Sequence, residues 1–363
     1  MSSTCELATG MDQIQFWRAL QTRINQDRIP FSGSLALTHR CNLYCVHCYA
    51  REMNPSSPEL SRDHWLRIID DIKDAGCLHL LLTGGEPLLH RDFKRIYTYA
   101  KQNGFLVTVF SNGTRVDAAI LDLFSELPPY QVEISVYGAS SAVHERVTGV
   151  PGSFEQTRRG IEQLLAKGIR LRLKSVLMTL NHGEFPAMEE WAASLGVRFR
   201  FDAAIFPAIS GDRSPLELRV APERAVELEM SKTERMRSWH EFLDQFRGHK
   251  TSQNLYDCGS GINTFHVDPH GWLYPCLMVR HTRYSLLSGN FRDGWANAFN
   301  AFRQTVAPAG MPCSNCDQKL LCGYCPGFFL LENGSETIPS PYICKIGKLR
   351  SEKLYPDKQK GNS

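Results

Sequence analysis

Short apolar runs alternate with stretches of helical periodicity between Gly33 and Phe206. Six of the runs have the length and apolar character of strands: Leu35–Thr38, Leu78–Leu82, Leu106–Phe110, Val132–Val136, Leu171–Leu177 and Val197–Phe201. Runs that are apolar almost throughout are typical of a parallel sheet covered on both faces. The successive strand–helix units therefore predict an α/β fold with a partial (βα)6 TIM-like barrel, two units short of eight.

Local signals predict where several helices begin and end. Ser61 precedes a helix whose apolar side chains recur at helical spacing, and Gly76 ends that helix. Ser153 and Gln156 have the spacing of a capping box, which predicts a helix start at Ser153. A further amphipathic helix is expected over Met11–Ile24.

The pattern divides the chain into four regions. Residues 1–32 are a short N-terminal segment, and residues 33–206 are the barrel. Residues 207–257 lose the alternation, because Pro and Gly interrupt them before charged helical stretches follow, and we interpret them as a helical linker region. Residues 258–363 are rich in cysteine and form the last region with its tail.

Composition narrows the classes of function. The 363 residues are 42% hydrophobic, which is enough for one large or two medium domains with sizeable cores. The net charge of +3 is close to balance and gives no electrostatic case for binding nucleic acid. The sequence lacks a long apolar run, and its mostly polar start, Met1–Thr9, has no signal-peptide core. We therefore expect a cytoplasmic protein without a membrane segment.

Cysteine is the strongest chemical signal. In a cytoplasmic protein, clustered cysteines indicate metal or redox chemistry, and ten of the twelve cysteines fall into two sets. The first set, Cys41, Cys45 and Cys48, has C-x3-C-x2-C spacing and follows the first predicted strand. Three thiolates on one loop can hold three corners of an iron–sulfur cube and leave the fourth iron open to a substrate or cofactor. A zinc site that His47 completes is the alternative.

This loop resembles the signature of the radical S-adenosylmethionine (SAM) enzymes. The resemblance implies that the three cysteines hold a [4Fe–4S] cluster whose open iron binds SAM. One electron then cleaves SAM to methionine and a 5′-deoxyadenosyl radical, which removes a hydrogen atom from the substrate. After the second strand, Gly84-Gly85-Glu86 resembles the GGE motif of this family, which implies contact with the SAM amino group. An ordinary tight turn is the alternative.

Further polar residues lie at or near the ends of later strands. By the same resemblance, Ser111, Asn112 and Ser135 lie near the SAM carboxylate and ribose. Lys174 interrupts the fifth strand, and we expect it in the barrel interior or at its rim as a cofactor-binding residue, with a solvated lysine as the alternative. Asp202 ends the sixth strand as a candidate catalytic carboxylate, although polar strand ends also occur for reasons of fold alone.

The second cysteine set lies near the C-terminus and comprises Cys258, Cys276, Cys313, Cys316, Cys322, Cys325 and Cys344. Phe265–Tyr274, between the first two of these, has the pattern of a β-hairpin with its turn at Pro269–Gly271. Seven cysteines at such spacings are a strong metal signal. Two zinc sites are the alternative to iron–sulfur clusters.

The second set resembles the SPASM domain, the C-terminal extension of many radical SAM enzymes that modify peptides. It departs from the SPASM pattern at one place: two residues lie between Cys322 and Cys325, whereas the pattern has three. The resemblance implies one or two auxiliary [4Fe–4S] clusters. It assigns the cysteines to two groups, which are Cys258, Cys276 and Cys325, and Cys313, Cys316, Cys322 and Cys344.

Together the two resemblances imply a radical SAM oxidoreductase or maturase. We expect its substrate to be a ribosomally synthesised peptide, which the open side of the barrel admits. Because residues 1–30 are too short for a recognition domain, we also expect a separate leader-binding partner, together with a flavodoxin- or ferredoxin-type reductant. The alternatives are an enzyme like the haem-pathway decarboxylases, a protein oxidase like the anaerobic sulfatase maturases and, more distantly, a non-enzymatic iron–sulfur or zinc scaffold.

Overall fold

The computed structural model describes residues 13–50, 58–245 and 253–356. Within these residues the centre is one sheet with the strands β1 Ser32–Ala36, β2 His79–Thr83, β3 Leu106–Ser111, β4 Gln131–Ser135, β5 Leu171–Val176, β6 Arg198–Asp202, β7 Thr264–Val267, β8 Trp272–Tyr274 and β9 Tyr284–Ser285. The strands β1 to β6 are parallel and lie side by side in chain order. The predicted α/β fold with a partial parallel barrel is therefore confirmed.

The helices of the described residues are α1 Gln13–Gln26, α2 Arg62–Asp74, α3 Phe93–Gln102, α4 Ala118–Glu126, α5 Ser141–Thr148, α6 Ser153–Ala166, α7 Phe185–Ser194, α8 Pro222–Glu229, α9 Thr233–Gln245, α10 Phe291–Asp293, α11 Asn300–Arg303, α12 Lys319–Cys322, α13 Pro326–Asn333 and α14 Pro341–Leu354. The helices α2, α3, α4 and α7 each follow one parallel strand, as the alternating pattern predicts, and two helices, α5 and α6, follow β4. The linker region contains α8 and α9.

The main core lies between the parallel strands and the helices that follow them. The predicted apolar faces of α2 and α3 are buried there, with the side chains of Trp65, Ile68, Ile69, Ile72, Phe93, Ile96, Tyr97 and Ala100. Along β2 and β3, fully buried positions alternate with half-buried ones. The strands are thus less evenly buried than their apolar sequences predict, because a partial barrel leaves its inner face accessible.

The predicted hairpin extends the sheet of the barrel. β7 pairs in parallel with β1, and β8 and β9 continue the sheet in antiparallel fashion. Gly33 makes the junction possible, because a Cβ at Gly33 would lie only 2.1 Å from the ring of Phe265. The cysteine-rich region is therefore attached to the strand that precedes the first cysteine loop.

Of the two predicted helix caps, one is confirmed and one is corrected. Ser61 caps α2 as expected and accepts from His64 N, but the capping box at Ser153 is wrong. α6 does begin at Ser153, but its N-cap is Gly152, and the Ser153 hydroxyl is hydrogen-bonded instead to the hydroxyl of Thr148, the last residue of α5, at 2.7 Å.

The N-terminal helix is present from Gln13, whereas Met11 and Asp12 lie outside the described residues. Its apolar face is only partly used, since Ile24 is buried and Trp17 is 48% exposed. No helix in the described part of the chain combines the length and the apolar character needed to span a bilayer.

Candidate functional site

The loop with the first three cysteines follows the carboxyl end of β1 and is tied to the end of α5. Tyr44 N donates to Thr148 O at 2.8 Å, and Val46 N donates to Val147 O at 3.0 Å. These backbone bonds fix the middle of the loop. The cysteines are therefore presented by an ordered backbone at the edge of the sheet where the carboxyl ends of β1 to β6 meet.

The three thiols lie close enough to influence one another's ionisation. Burial raises the pKa of Cys45, and the neighbouring Cys48 and Cys41 raise it further. The pKa of Cys41 is also raised, chiefly by burial and then by Glu86 and Cys48. Thiolates that repel one another in this way favour a bound cation, which stabilises their deprotonated form.

An asparagine connects the end of β3 to this loop. The side-chain amide of Asn112 donates to Cys41 Sγ at 3.8 Å and to Asn42 Oδ1 at 3.1 Å. Asn42 in turn donates to Thr114 Oγ1 at 2.8 Å. The structure thus places Asn112 beside the cysteine loop. Sequence analysis did not single out Asn42, although it lies inside the cysteine motif.

Two glycines bring the turn after β2 against the same loop. Gly84 has a φ of +141°, and a Cβ at that position would lie 2.3 Å from Thr38 O. A Cβ at Gly85 would lie 2.4 Å from Arg40 O, and Gly85 N donates to Thr38 O at 2.7 Å. Only glycine allows two backbones to approach so closely. The glycines therefore serve the contact between the turn and the cysteine loop.

Glu86 joins this turn to β3 from a fully buried position. Its carboxylate accepts from the Ser111 hydroxyl at 2.9 Å, from Asn112 N at 2.7 Å and from Leu88 N at 3.2 Å. Burial raises the pKa of Glu86 to about 7, although these hydrogen bonds and the charge of Lys174 oppose the rise. The structure thus gathers Glu86, Ser111 and Asn112 in one buried network beside the cysteine loop.

Lys174 lies inside the barrel. Its Nζ atom is 3.0 Å from the centroid of the Phe110 ring. Burial lowers the pKa of Lys174 to about 7, and Glu133 and Glu86 act in the opposite direction. The alternative of a solvated surface lysine therefore does not describe its position.

Tyr137, shortly after β4, is a residue that sequence analysis missed. Burial raises its pKa strongly, the thiol of Cys45 raises it further, and a hydrogen bond with Ser135 opposes the rise. The Tyr137 ring also packs edge-on against His47, with 4.7 Å between the ring centroids. Ser135 is thus connected to the cysteine loop through Tyr137. An aromatic residue after a strand end was the available signal, and it is too common to be specific.

Asp202 lies elsewhere. Its carboxylate accepts from Ala204 N at 2.8 Å and so caps the turn after β6. Together with Cys322 and Arg350 it lines a cavity of about 250 Å³ between β6 and the C-terminal region. The structure therefore places Asp202 beside the second cysteine set and not in the network around Glu86.

The seven C-terminal cysteines form two groups in space. Burial raises the pKa values of Cys276, Cys325, Cys313, Cys322 and Cys344, and the charge of other cysteines in the same group raises each of these values further. The first group contains Cys258, Cys276 and Cys325. The second group contains Cys313, Cys316, Cys322 and Cys344. The structure brings together the same two groups that the SPASM resemblance implies.

The chain turns sharply between Cys322 and Cys325, where the spacing departs from the SPASM pattern. Cys322 ends α12, Gly323 follows with a φ of +67°, and Cys325 is the N-cap of α13. Cys325 Sγ accepts from Phe328 N at 3.4 Å. The turn allows two cysteines that are close in sequence to join different groups.

These donor sets fit iron–sulfur clusters. Thiolates are the soft ligands that such clusters require, and each cysteine of a [4Fe–4S] cluster binds a different iron. Cys41, Cys45 and Cys48 would hold a cluster at the mouth of the barrel. Among the residues described, no three His, Cys, Asp or Glu side chains converge on the position of one metal ion.

Comparison with known proteins finds a family model that matches most of the barrel. The model of the Radical SAM superfamily matches residues 35–195. The AdoMet-dependent heme synthase of Methanosarcina barkeri (strain Fusaro / DSM 804) is 26% identical over 335 residues, which are 86% of this chain and 96% of that protein. The antilisterial bacteriocin subtilosin biosynthesis protein AlbA of Bacillus subtilis (strain 168) is 27% identical over 337 residues, 89% of this chain and 72% of AlbA.

A solved structure shows the same fold. SuiB of Streptococcus suis, crystallised with S-adenosylmethionine, matches 94% of this chain and 83% of its own with a TM-score of 0.67 at 15% identity. The family match covers the cysteine loop, the turn with Gly84 and Gly85, and the ends of β3 and β4. Residues 35–195 of this chain accordingly match the Radical SAM superfamily, whose members use a [4Fe–4S] cluster and S-adenosylmethionine.

Proposed function

We propose that this enzyme oxidatively modifies a ribosomally synthesised peptide. The observation that supports the proposal is the gathering of ten cysteines into one loop at the barrel mouth and two groups in the attached C-terminal region. When bound, the first cluster and SAM supply the 5′-deoxyadenosyl radical that removes a hydrogen atom from the substrate. The C-terminal cysteines would hold auxiliary clusters, which would supply an acceptor for the electron that the substrate radical gives up.

The residues at the barrel mouth have separate roles in this proposal. The three loop cysteines ligate the cluster, and the backbone of the turn with Gly84 and Gly85 binds the SAM amino group. Asn112, which Glu86 holds through its backbone N–H, faces the SAM carboxylate and ribose together with Ser111 and Ser135. Lys174 supplies positive charge inside the barrel. Asp202 stays outside this set, because it caps the turn after β6.

Two proteins similar to this chain support the choice of substrate. AlbA is named for the biosynthesis of the bacteriocin subtilosin. SuiB has been crystallised with its precursor peptide SuiA, and that structure matches this chain with a TM-score of 0.68. We further propose a separate leader-binding protein and a flavodoxin- or ferredoxin-type electron donor as partners. Tight binding of the leader peptide by this chain alone would contradict the separate leader-binding protein.

An iron tetrapyrrole is the second candidate substrate. The match to the heme synthase extends over 96% of that protein. A second relative, 30% identical over 153 residues, is named Fe-coproporphyrin III synthase. Both candidates require the same cysteine loop, so the substrate has to be distinguished by assay.

The test is a parallel assay of anaerobically reconstituted enzyme with SAM and dithionite. One sample receives the precursor peptide encoded beside the gene, and the other receives Fe-coproporphyrin III. We expect a mass change in the peptide, measured by mass spectrometry, that the Cys41→Ala variant does not produce. A change in the porphyrin alone would establish the second candidate and refute the peptide proposal.

A further inference from the structure

A polar cluster lies where the carboxyl ends of β1 and β7 meet, across β1 from the Glu86 network. His39 follows β1 shortly before the cysteine loop, and Asp268 follows β7 directly. Arg280, which follows Cys276 of the C-terminal region, joins them. The predicted site residues do not include any of these three.

Asp268 and Tyr274 hold the guanidinium of Arg280 in place. Asp268 is 2% exposed, and its Oδ2 atom accepts from Arg280 Nη2 at 3.0 Å and from the Tyr274 hydroxyl at 3.1 Å. The central carbon of the guanidinium lies 3.6 Å from the centroid of the Tyr274 ring. One edge and one face of the Arg280 guanidinium are therefore in contact with Asp268 and Tyr274. These contacts orient the guanidinium without using all of its N–H donors.

Three buried polar atoms in and beside this cluster have no hydrogen-bond partner in the described structure. Arg280 Nη1, His39 Nε2 and His270 Nε2 are all buried and unpaired in the described structure. The rings of His39 and His270 are neighbours, with 5.4 Å between their centroids. A buried donor without an acceptor is destabilising, especially when it is charged, and indicates a functional reason for its retention.

The cluster borders the cysteine loop where the loop begins. His39 lies two residues before Cys41, and its ring centroid is 5.4 Å from that of His270. The backbone N–H of His270 donates to Asp268 Oδ1 at 3.0 Å, and Asp268 holds Arg280. Arg280 is thus connected through Asp268 and His270 to the residue that precedes the three cysteines.

We propose that Arg280 binds a carboxylate of the substrate and so positions the substrate beside the radical-generating loop. The free edge of a guanidinium suits a carboxylate, because it donates charge-assisted hydrogen bonds in a fixed geometry. Glu86, Ser111 and Asn112 lie on the β2–β3 side of the loop and Arg280 on the β7 side, so this anchor does not compete with the proposed SAM side. The proposal deepens the proposed function and rests on it. The carboxylate belongs to an acidic side chain or the C-terminus of a peptide, or to a tetrapyrrole.

The test compares two probes of the same shape on the reconstituted enzyme with SAM. N-acetyl-glutamate amide carries a carboxylate, and N-acetyl-glutamine amide is its neutral counterpart. By saturation-transfer NMR under anaerobic conditions, we expect the wild type to bind the glutamate probe at least about tenfold more tightly, the difference that a charged hydrogen bond supplies. Arg280→Gln should lose that preference, and Arg280→Lys should retain part of it.

Matched controls separate the possible outcomes. Arg292→Gln removes an exposed arginine of α10 outside this cluster, and it should bind both probes as the wild type does. Coproporphyrin III is the third probe, and Arg280-dependent binding of this probe alone assigns the carboxylate to a tetrapyrrole. If none of the probes depends on Arg280, the proposal is overturned.

Two further measurements distinguish a failure of this inference from a failure of the proposed function. If Arg280→Gln does not retain its iron, the proposal is tested on the wild type alone, by comparing its affinities for the glutamate and glutamine probes. Equal binding of the two probes overturns the proposal. SAM cleavage without substrate is measured separately. Arg280-dependent carboxylate binding in an enzyme that modifies neither peptide nor porphyrin would leave this inference standing and refute the proposed function.

Discussion

At the scale of single residues, burial controls the ionisation of the groups around the barrel mouth. Glu86 and Lys174 both have a pKa of about 7, because removal from water penalises a carboxylate and an ammonium alike. Each charge stabilises the other across the barrel interior. The charge of the proposed SAM-binding side therefore changes near neutral pH.

Replacement of Glu86 by glutamine should change how stability depends on pH. Folding raises the pKa of Glu86 from its usual 4.5 to about 7. An acid with a raised folded pKa contributes stability below its unfolded pKa and loses that contribution as the pH rises through the folded value. Between pH 6 and 8 the wild type should therefore lose about 1 kcal/mol more free energy of unfolding than Glu86→Gln.

Anaerobic urea unfolding at both pH values measures this difference. Glu126→Gln, at an exposed position on α4, is the matched control and should follow the wild type. An equal change in Glu86→Gln and the wild type would show that Glu86 ionises with its usual pKa in the folded protein.

At the scale of elements, residues from different strand ends form the site. The turn after β2, the end of β3 and the segment after β4 all contact the cysteine loop or its neighbours. Such convergence follows from the parallel sheet, because all carboxyl ends lie at one edge. The contact between the turn with Gly85 and the loop is close enough to be sensitive to a single methyl group.

Gly85→Ala should reduce SAM cleavage by at least about tenfold, because small displacements of a positioned group are costly for catalysis. The new Cβ would lie 2.4 Å from Arg40 O, so the turn or the cysteine loop has to move. The measurement is 5′-deoxyadenosine formed with dithionite. Gly183→Ala is the control, since nothing lies within 4 Å of a Cβ at Gly183. Wild-type cleavage by Gly85→Ala would contradict the close contact.

Local sequence predicts the elements well, and tertiary contacts explain what it misses. The faces of α2 and α3 and the Ser61 cap depend on residues three or four apart, which the sequence displays directly. The pairing of β7 with β1 joins segments more than 200 residues apart and leaves no local pattern. For the same reason the sequence did not reveal Tyr137 or Arg280, whose roles depend on neighbours from other elements.

At the scale of the whole molecule, the C-terminal region contacts both edges of the partial barrel. At one edge β7 pairs with β1. At the other edge, α13 and α14 are attached to the segments that follow β6. The buried side chains of Arg219 and Glu332 form an ion pair at 2.6 Å, and the Tyr342 hydroxyl donates to Ala203 O at 3.2 Å. The C-terminal cysteines are thus held in a fixed relation to the barrel.

The two C-terminal groups should load iron independently. Cys322→Ala and Cys325→Ala should each remove about four irons, and the double variant should remove about eight, because each cysteine belongs to a different group. Iron and sulfide analysis after anaerobic reconstitution measures the loss, and Cys77→Ala, at a buried cysteine outside both groups, is the control. A double variant that loses no more iron than either single variant would place both cysteines at one cluster.

The central claim is that Cys41, Cys45 and Cys48 hold the cluster that cleaves SAM. The most direct measurement is iron content and dithionite-driven 5′-deoxyadenosine formation in the wild type and in the variant with all three replaced by alanine. We predict about twelve irons in the wild type and about eight in the variant, with loss of SAM cleavage, since one four-iron cluster disappears. Cleavage that survives the triple replacement, or zinc found in place of iron, would contradict the claim.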